Sequence, residues 1–291
     1  MNSMPADPIP VYPLYHYTSL DGLLGIVKYK RLWATHVAYL NDSTELDYAV
    51  RLLRSHINNV LLEHEQADDD RDCLSQLHQW LSDSWVQNNL LFTCSFSEAG
   101  NLLSQWRAYC PPAGGVSLGF QPDQLLASAD LQGYQLTKCV YDRELQQTLV
   151  EDWLRSVLST KNDKQQSLQQ APPSQSWYSH FRSFEERFLN IAARMKDPAF
   201  SEEREWRLIS KSSKNLLEPG LRFRAGKSRL IPYIEFSAPL DQNERLSLRK
   251  VYVGPAQDHN LSFQSISMFL TNSGARITKG VQASGIPLRT W

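Results

Sequence analysis

The sequence predicts an α+β fold in which strands from both ends of the chain contribute to one core. Three observations predict it. Strand-like runs occur early, as LYHY, LLFTCSFS and GVSLGF, and again late, as REWRLIS, LRFRAG, LIPYIEFS and KVYVGP. Amphipathic stretches of helical period separate these runs. No internal repeat at a fixed period is visible, which sets aside solenoids and propellers.

In chain order, residues 14–17 read as a short strand, and Ser19 offers an N-cap to a helix carrying Leu20, Leu23, Leu24, Ile26 and Val27 mostly on one face. After a short extended piece, Asp42 or Ser43 in NDSTE can cap a long helix bearing Leu46, Val50, Leu53 and Ile57. A second helix is expected over 71–87, behind the acidic turn EQADDD. LLFTCSFS is suited to a buried strand, and LLSQWRAY to a short helix stopped by Pro111 and Pro112. GVSLGF and YQLTKCVYD continue as strands. Helices are expected over 144–158 and 176–196, parted by a polar, Gln-rich loop, and the late strands are followed by a helix near 260–271 and a last extended piece. This reads as an extension over 1–13 and a single domain over 14–291, with helical insertions near 43–88 and 144–197.

Composition narrows the function classes. With 42% hydrophobic residues, eight Trp, twelve Tyr and eleven Phe in 291 residues, the chain has ample material for a core. A formal charge of −1 gives no global field toward nucleic acid or anionic lipid, so such contacts require a local patch. Cys73, Cys94, Cys110 and Cys139 form no C-x-x-C pair and read as small apolar residues of a reducing compartment. Neither a signal peptide nor an apolar run of 18 residues occurs, so the expected location is cytoplasmic and no membrane partner is expected. P-loop, G-x-G-x-x-G, G-x-S-x-G and H-E-x-x-H patterns are absent.

Five groups of residues can carry chemistry. His16, Tyr17 and Thr18 stand at the tip of the first strand; a histidine there can bond a ligand hydroxyl while the backbone holds its other nitrogen, or can be a satisfied core residue. In SEEREWRLI, strand alternation would put Glu203 and Glu205 on one face, needing a cation or a hydroxyl-bearing ligand between them; Arg207 and neighbouring basic residues are the alternative partners. Of the two, Glu205 lies deeper beside Trp206, which favours it for chemistry with Glu203 as its orienting neighbour. Trp106 and Tyr109, three apart on a helical turn, can sandwich a planar ring or pack in the core. Asn41 and Asp42 can cap or bind. Finally, residues 211–230 hold six basic residues, Lys211, Lys214, Arg222, Arg224, Lys227 and Arg229, against Glu218, a local balance of +5 suited to phosphates or to a solvated ribbon.

The ordered set YHYTS, LNDSTE, FTCSFS, QWRAYCPPAGGVSLGF and EREWRL resembles a bacterial family whose domain has no known function, and its order is similar to the ADP-ribosyltransferase fold of the His-Tyr-Glu type. That resemblance implies a split β-sheet core with helical insertions and NAD as a substrate. It implies that His16 contacts the adenosine-side ribose, Tyr17 clamps through its backbone, Tyr109 stacks on nicotinamide, and Glu203 or Glu205 is the catalytic carboxylate. The polar tip from His16 to Thr18 would then be one wall of a dinucleotide cleft. Tyr17 stands where polymerases of this fold have glycine, and Trp106 where a serine would bond the nicotinamide amide. The expected activity is transfer of ADP-ribose to a macromolecule, or NAD hydrolysis, with antiphage defence or toxicity as its setting. Arg222, Arg224, Lys227 and Arg229 are the expected acceptor grip. The alternatives are a non-catalytic nucleotide-sensing or nucleic-acid-binding module, and a nuclease with Glu203, Glu205 and Asp42 around a metal. Acceptor identity and oligomeric state are left open.

Overall fold

The computed structural model describes residues 8–40, 44–62, 68–81, 89–110, 114–160 and 177–287. Asn41, Asp42 and Ser43, Pro111 and Pro112, and most of the polar separator lie outside the described residues. Helices and a large mixed sheet make up the fold, compatible with the α+β class. The elements are β1 (Leu14–Ser19), α1 (Leu20–Tyr29), β2 (Arg31–His36), α2 (Thr44–Leu62), α3 (Asp68–Trp80), β3 (Phe92–Ser97), α4 (Leu103–Tyr109), β4 (Gly115–Phe120), α5 (Pro122–Gln132), β5 (Gln135–Lys138) and α6 (Arg143–Ser159). They continue as α7 (Tyr178–Ala192), β6 (Glu205–Ile209), β7 (Arg222–Ala225), β8 (Leu230–Ser237), β9 (Ser247–Leu248), β10 (Lys250–Val253), α8 (His259–Asn272), β11 (Arg276–Ile277) and β12 (Val281–Ala283).

The large sheet runs β12-β10-β4-β1-β3-β2-β8-β7, with β6 on β3 and β5 on β6. Its pairings are antiparallel except β10 with β12. Strands from both halves of the chain therefore interleave. One face carries Leu14, Leu32, Phe92, Phe96, Val116, Leu118 and Val251, which form one core with Leu23 and Ile26 of α1, Leu125 of α5 and Ile266 of α8. A second core joins the amphipathic faces of α2, α3, α6 and α7 through Leu53, Leu77, Trp153, Phe181 and Phe188. No helix among the described residues is long and apolar enough to cross a membrane.

Local chemistry explains the first unit. The Ser19 hydroxyl oxygen accepts the Gly22 N–H at 3.1 Å, satisfying one open donor at the start of α1. Lys30 ends the helix in the left-handed conformation, with φ 53°. Leu23, Ile26 and Val27 are buried, but Leu24 is 51% exposed, so the apolar stripe is narrower than its five candidate positions.

Three expected elements differ. α3 begins before residue 71, and residues 82–88 of its expected span fall outside the described residues. α7 ends at Ala192 instead of 196 because Met195 leaves the helix to bridge Val140. Glu203 belongs to a 3₁₀ turn, Pro198–Glu203, and Arg204 adopts φ 44° before β6 begins at Glu205. Strand alternation therefore does not relate the two glutamates.

Candidate functional site

A split in the sheet makes the site. The same edge of β3 pairs with β1 at Ser97, opposite Tyr15, and with β2 at Thr93, opposite Thr35, while β6 takes the other edge along its length. Between those two contacts the backbone carbonyl of Ser95 faces neither strand ladder. Its partner is the His16 imidazole, with Nδ1 at 3.0 Å. A carbonyl only accepts, so Nδ1 carries the proton. Burial lowers the His16 pKa, against the smaller upward pull of the Ser95 carbonyl, which keeps the ring neutral. Nε2 is then an unprotonated acceptor.

Beside this wedge lies an open cleft of about 350 Å³, its solvent mouth included, lined by Tyr15, His16, Tyr17, Gln105, Tyr109, Glu203 and Glu205 along with Ser95, Phe96 and Ser97 of β3. It unites His16, Tyr17, Tyr109 and both glutamates. Thr18 is not among the lining residues: its side chain lies against Gly22 in the first turn of α1.

The roles of the aromatic residues differ from expectation. Trp106 is 1% exposed, donates its indole N–H to Asn101 Oδ1 at 2.9 Å, and meets the Tyr17 ring edge-on at 4.7 Å. A ring so enclosed cannot sandwich a ligand, so of that pair only Tyr109 lines the cleft. The Tyr17 hydroxyl donates to the Ala99 carbonyl at 2.6 Å and accepts the Leu102 N–H at 2.9 Å. Its side chain thereby ties the residues leading into α4 to β1, and burial pushes its pKa above the ordinary phenol range.

The two carboxylates converge on a cation that the sequence reading did not single out. Lys196 Nζ lies 2.6 Å from Glu203 Oε2 and 2.7 Å from Glu205 Oε2, and the lysine is 1% exposed. Arg207 closes the group from the same strand as Glu205. It donates Nε to Glu205 Oε1 at 2.8 Å and Nη2 to Oε2 at 3.1 Å, while Nη1 donates to the Ala193 carbonyl at 2.8 Å. Burial alone would raise the Glu205 pKa, but Arg207 and Lys196 outweigh it and hold the carboxyl down to about 2. Lys196 is held above the usual lysine range: burial favours its neutral form, but Glu205 and Glu203 outweigh it. Three donors reach Glu205, leaving Oε1 with one further acceptor position on a residue that lines the cleft.

Lys196 is placed from outside the sheet. Its N–H donates to the Val140 carbonyl at 3.0 Å, and the fully buried Gln146 of α6 donates to the carbonyls of both Val140, at 2.7 Å, and Lys196, at 2.8 Å. Sequence reading assigned Lys196 to the tail of a helix. An M-K-D-P sequence past an amphipathic run, where Pro198 forbids helix continuation, was the available signal. Among the described residues no group of three or more His, Cys, Asp or Glu is arranged to hold a metal ion.

The basic run does not act as one patch. Lys214 pairs with Glu185 of α7 at 2.8 Å, and Lys211 lies beside Gly133 at the end of α5. Arg222 and Arg224 sit on β7, with Lys227 and Arg229 in the β7–β8 turn, at the far end of the sheet from the β1–β3 split.

No curated protein and no solved structure matches the chain. Residues 105–208, which run from Gln105 on α4 to Leu208 in β6 and so contain Tyr109, Lys196, Glu203, Glu205 and Arg207, match a family described as a protein of unknown function, DUF2971.

Proposed function

We propose that the cleft binds NAD and that the protein transfers ADP-ribose to a macromolecule or to water. The observation that carries this reading is the convergence of His16, Tyr109, Glu203 and Glu205 on one cleft at a sheet split. In this reading His16 Nε2 accepts a ribose hydroxyl, the Tyr109 ring stacks on nicotinamide, and Glu205 Oε1 accepts the 2′-hydroxyl of the nicotinamide ribose. The C1′–nitrogen bond breaks with its electron pair leaving on nicotinamide. Positive charge then develops at C1′ until the acceptor oxygen or nitrogen bonds there and gives up its proton. A carboxylate kept ionised and immobile by Lys196 and Arg207 stabilises that charge without reorganising.

Glu205→Gln preserves shape and removes the charge. Nicotinamide release should fall by about two orders of magnitude, roughly the effect of losing one transition-state stabilising group, with a smaller loss for Glu203→Gln. The assay is run well below the melting temperature of each variant, with NAD binding followed by calorimetry. Absence of nicotinamide release by the wild-type protein with protein, DNA, RNA and water as acceptors would sink transfer. The tight engagement of Glu205 by Arg207 and Lys196 also suits a second reading, a nucleotide sensor without turnover. NAD binding with no nicotinamide release would select it.

A further inference from the structure

The end of the sheet farthest from β12 carries a second surface, built from β2, β8 and β7. Register places Trp33 opposite Glu235, Thr35 opposite Tyr233, and Tyr233 opposite Arg222 in turn. Alternation then puts Arg31, Trp33, Tyr233, Arg222 and Arg224 on one face. Thr35 also pairs with Thr93 of β3, and Ser97 of β3 pairs with Glu205, so this is the face that carries the glutamate.

Trp33 is 48% exposed there. Its ring lies 4.6 Å from that of Tyr233, inclined by 36°, and the Arg224 guanidinium stands 5.7 Å from its centre. The Nε of Arg224 is buried and has no hydrogen-bond partner among the described residues, although its Nη2 reaches the Thr35 hydroxyl at 3.4 Å. The guanidinium therefore keeps donor capacity that the neighbouring described side chains do not use. Arg31 is exposed two residues from Trp33 on β2 and Arg222 two residues from Arg224 on β7, and the one acid that this register places among them, Glu235, lies 3.5 Å from Arg222. An exposed indole, a guanidinium over it and an excess of positive charge are three features that a negatively charged chain of planar rings satisfies together. An acidic peptide would use only the charge.

We propose that this surface binds single-stranded nucleic acid, with a base stacked on Trp33 and phosphates held by Arg31, Arg222 and Arg224. A duplex keeps its base faces inside the stack, where Trp33 cannot reach them. The surface stands independently of the NAD reading, since strand binding requires no nicotinamide release. If transfer does occur, it names the acceptor class and places it on the face of the catalytic carboxylate.

Fluorescence anisotropy on labelled DNA and RNA strands of about 12 nucleotides, with a duplex of the same sequence, tests it. Single strands should bind more tightly than the duplex. Affinity should fall with salt between roughly 50 and 200 mM, with a log–log slope near −2 for about three phosphates. Trp33→Ala should weaken binding about ten-fold while Trp33→Phe, which keeps a stacking face, stays within about three-fold. Arg224→Gln should weaken binding and flatten the salt slope by about 0.7. Melting curves confirm that each variant is folded, and Arg224→Gln carries the test if the Trp33→Ala variant is not, unchanged affinity and salt slope in it overturning the proposal. Preference for RNA or for DNA identifies the natural strand. No binding by the wild-type protein at low salt, equal affinity for the duplex, or a folded Trp33→Ala variant of unchanged affinity would overturn the proposal.

Discussion

At the scale of single residues, the buried charges are the most consequential feature. Glu203, Glu205, Lys196 and Arg207 place two acids and two bases in a nearly dry site. Such a group adds little net stability when complete, yet removing one member leaves a charge buried without compensation. Lys196→Met should therefore cost about 3–5 kcal/mol at neutral pH. The sign of its pH dependence follows from the shift of Glu205. Its folded pKa, about 2, lies below its ordinary value of 4.5, so its contribution is present above pH 4.5 and lost as pH falls toward 2. Without the ammonium the carboxyls take up protons at higher pH, which relieves the uncompensated charge. The gap in stability between wild type and variant should be widest near pH 7 and narrow toward pH 3. Urea titrations across that range measure it, and a gap that does not change with pH would mean that Lys196 acts through packing alone.

Elements hold these residues by devices that are small and specific. β1 ends its contact with β3 after Tyr15, and His16 takes the ladder's place at Ser95. The segment that carries Lys196 is held against Val140 by Gln146, whose side chain is donor to two carbonyls and acceptor from Tyr48. Gln146→Leu keeps the volume but strips the buried carbonyls of these donors. It should destabilise the protein by about 1–3 kcal/mol. Because it loosens the lysine, it should also reduce the NAD affinity proposed for the cleft, although Gln146 does not line it. Chemical denaturation and calorimetry check the two effects, and lost stability with unchanged affinity would confine Gln146 to the fold.

At the scale of the whole molecule, the described residues form two large apolar cores, one between the sheet and α1, α5 and α8, the other among α2, α3, α6 and α7, and a small cluster of Tyr15, Tyr17 and Trp106. Burial governs the chemistry of the four cysteines. Cys73, Cys94 and Cys139 are buried, and burial raises the half-buried Cys110 thiol to about 12, the Thr18 carbonyl opposing it weakly. Few thiolates exist near neutral pH, so alkylation of the native protein at pH 7.5 should be slower than that of the unfolded chain by orders of magnitude. Mass spectrometry of iodoacetamide-treated protein reads it residue by residue. Rapid native labelling of Cys110 would show that its packing against Thr18 and Gly115 opens readily.

Much of this architecture was legible locally. Ser19 capping α1, the buried strands FTCSFS and GVSLGF, and a polar strand tip before a helix all follow from capping chemistry, side-chain alternation and periodicity within a few residues. The same signals pointed to His16, Tyr109, Glu203 and Glu205, which the structure brings to one cleft. The inferences that failed turned on a backbone turn or on a packing partner that the local pattern does not carry: the left-handed Arg204 breaks the alternation before β6 begins. Glu203 and Glu205 meet through a turn and a lysine, not through a strand. Trp106 is enclosed because Tyr17, 89 positions earlier, packs on it, and Gly254, 148 positions later, has no side chain to displace it. The +5 run divides because Lys214 finds Glu185 while Arg224 finds Trp33. Local pattern determined which segments form strands and helices and which residues are chemically capable, because propensity and capping act over one or two turns. Only tertiary structure decided which charges meet, which rings stay accessible and where the sheet parts, because those depend on burial and on pairings such as His16 with Ser95 across 79 residues.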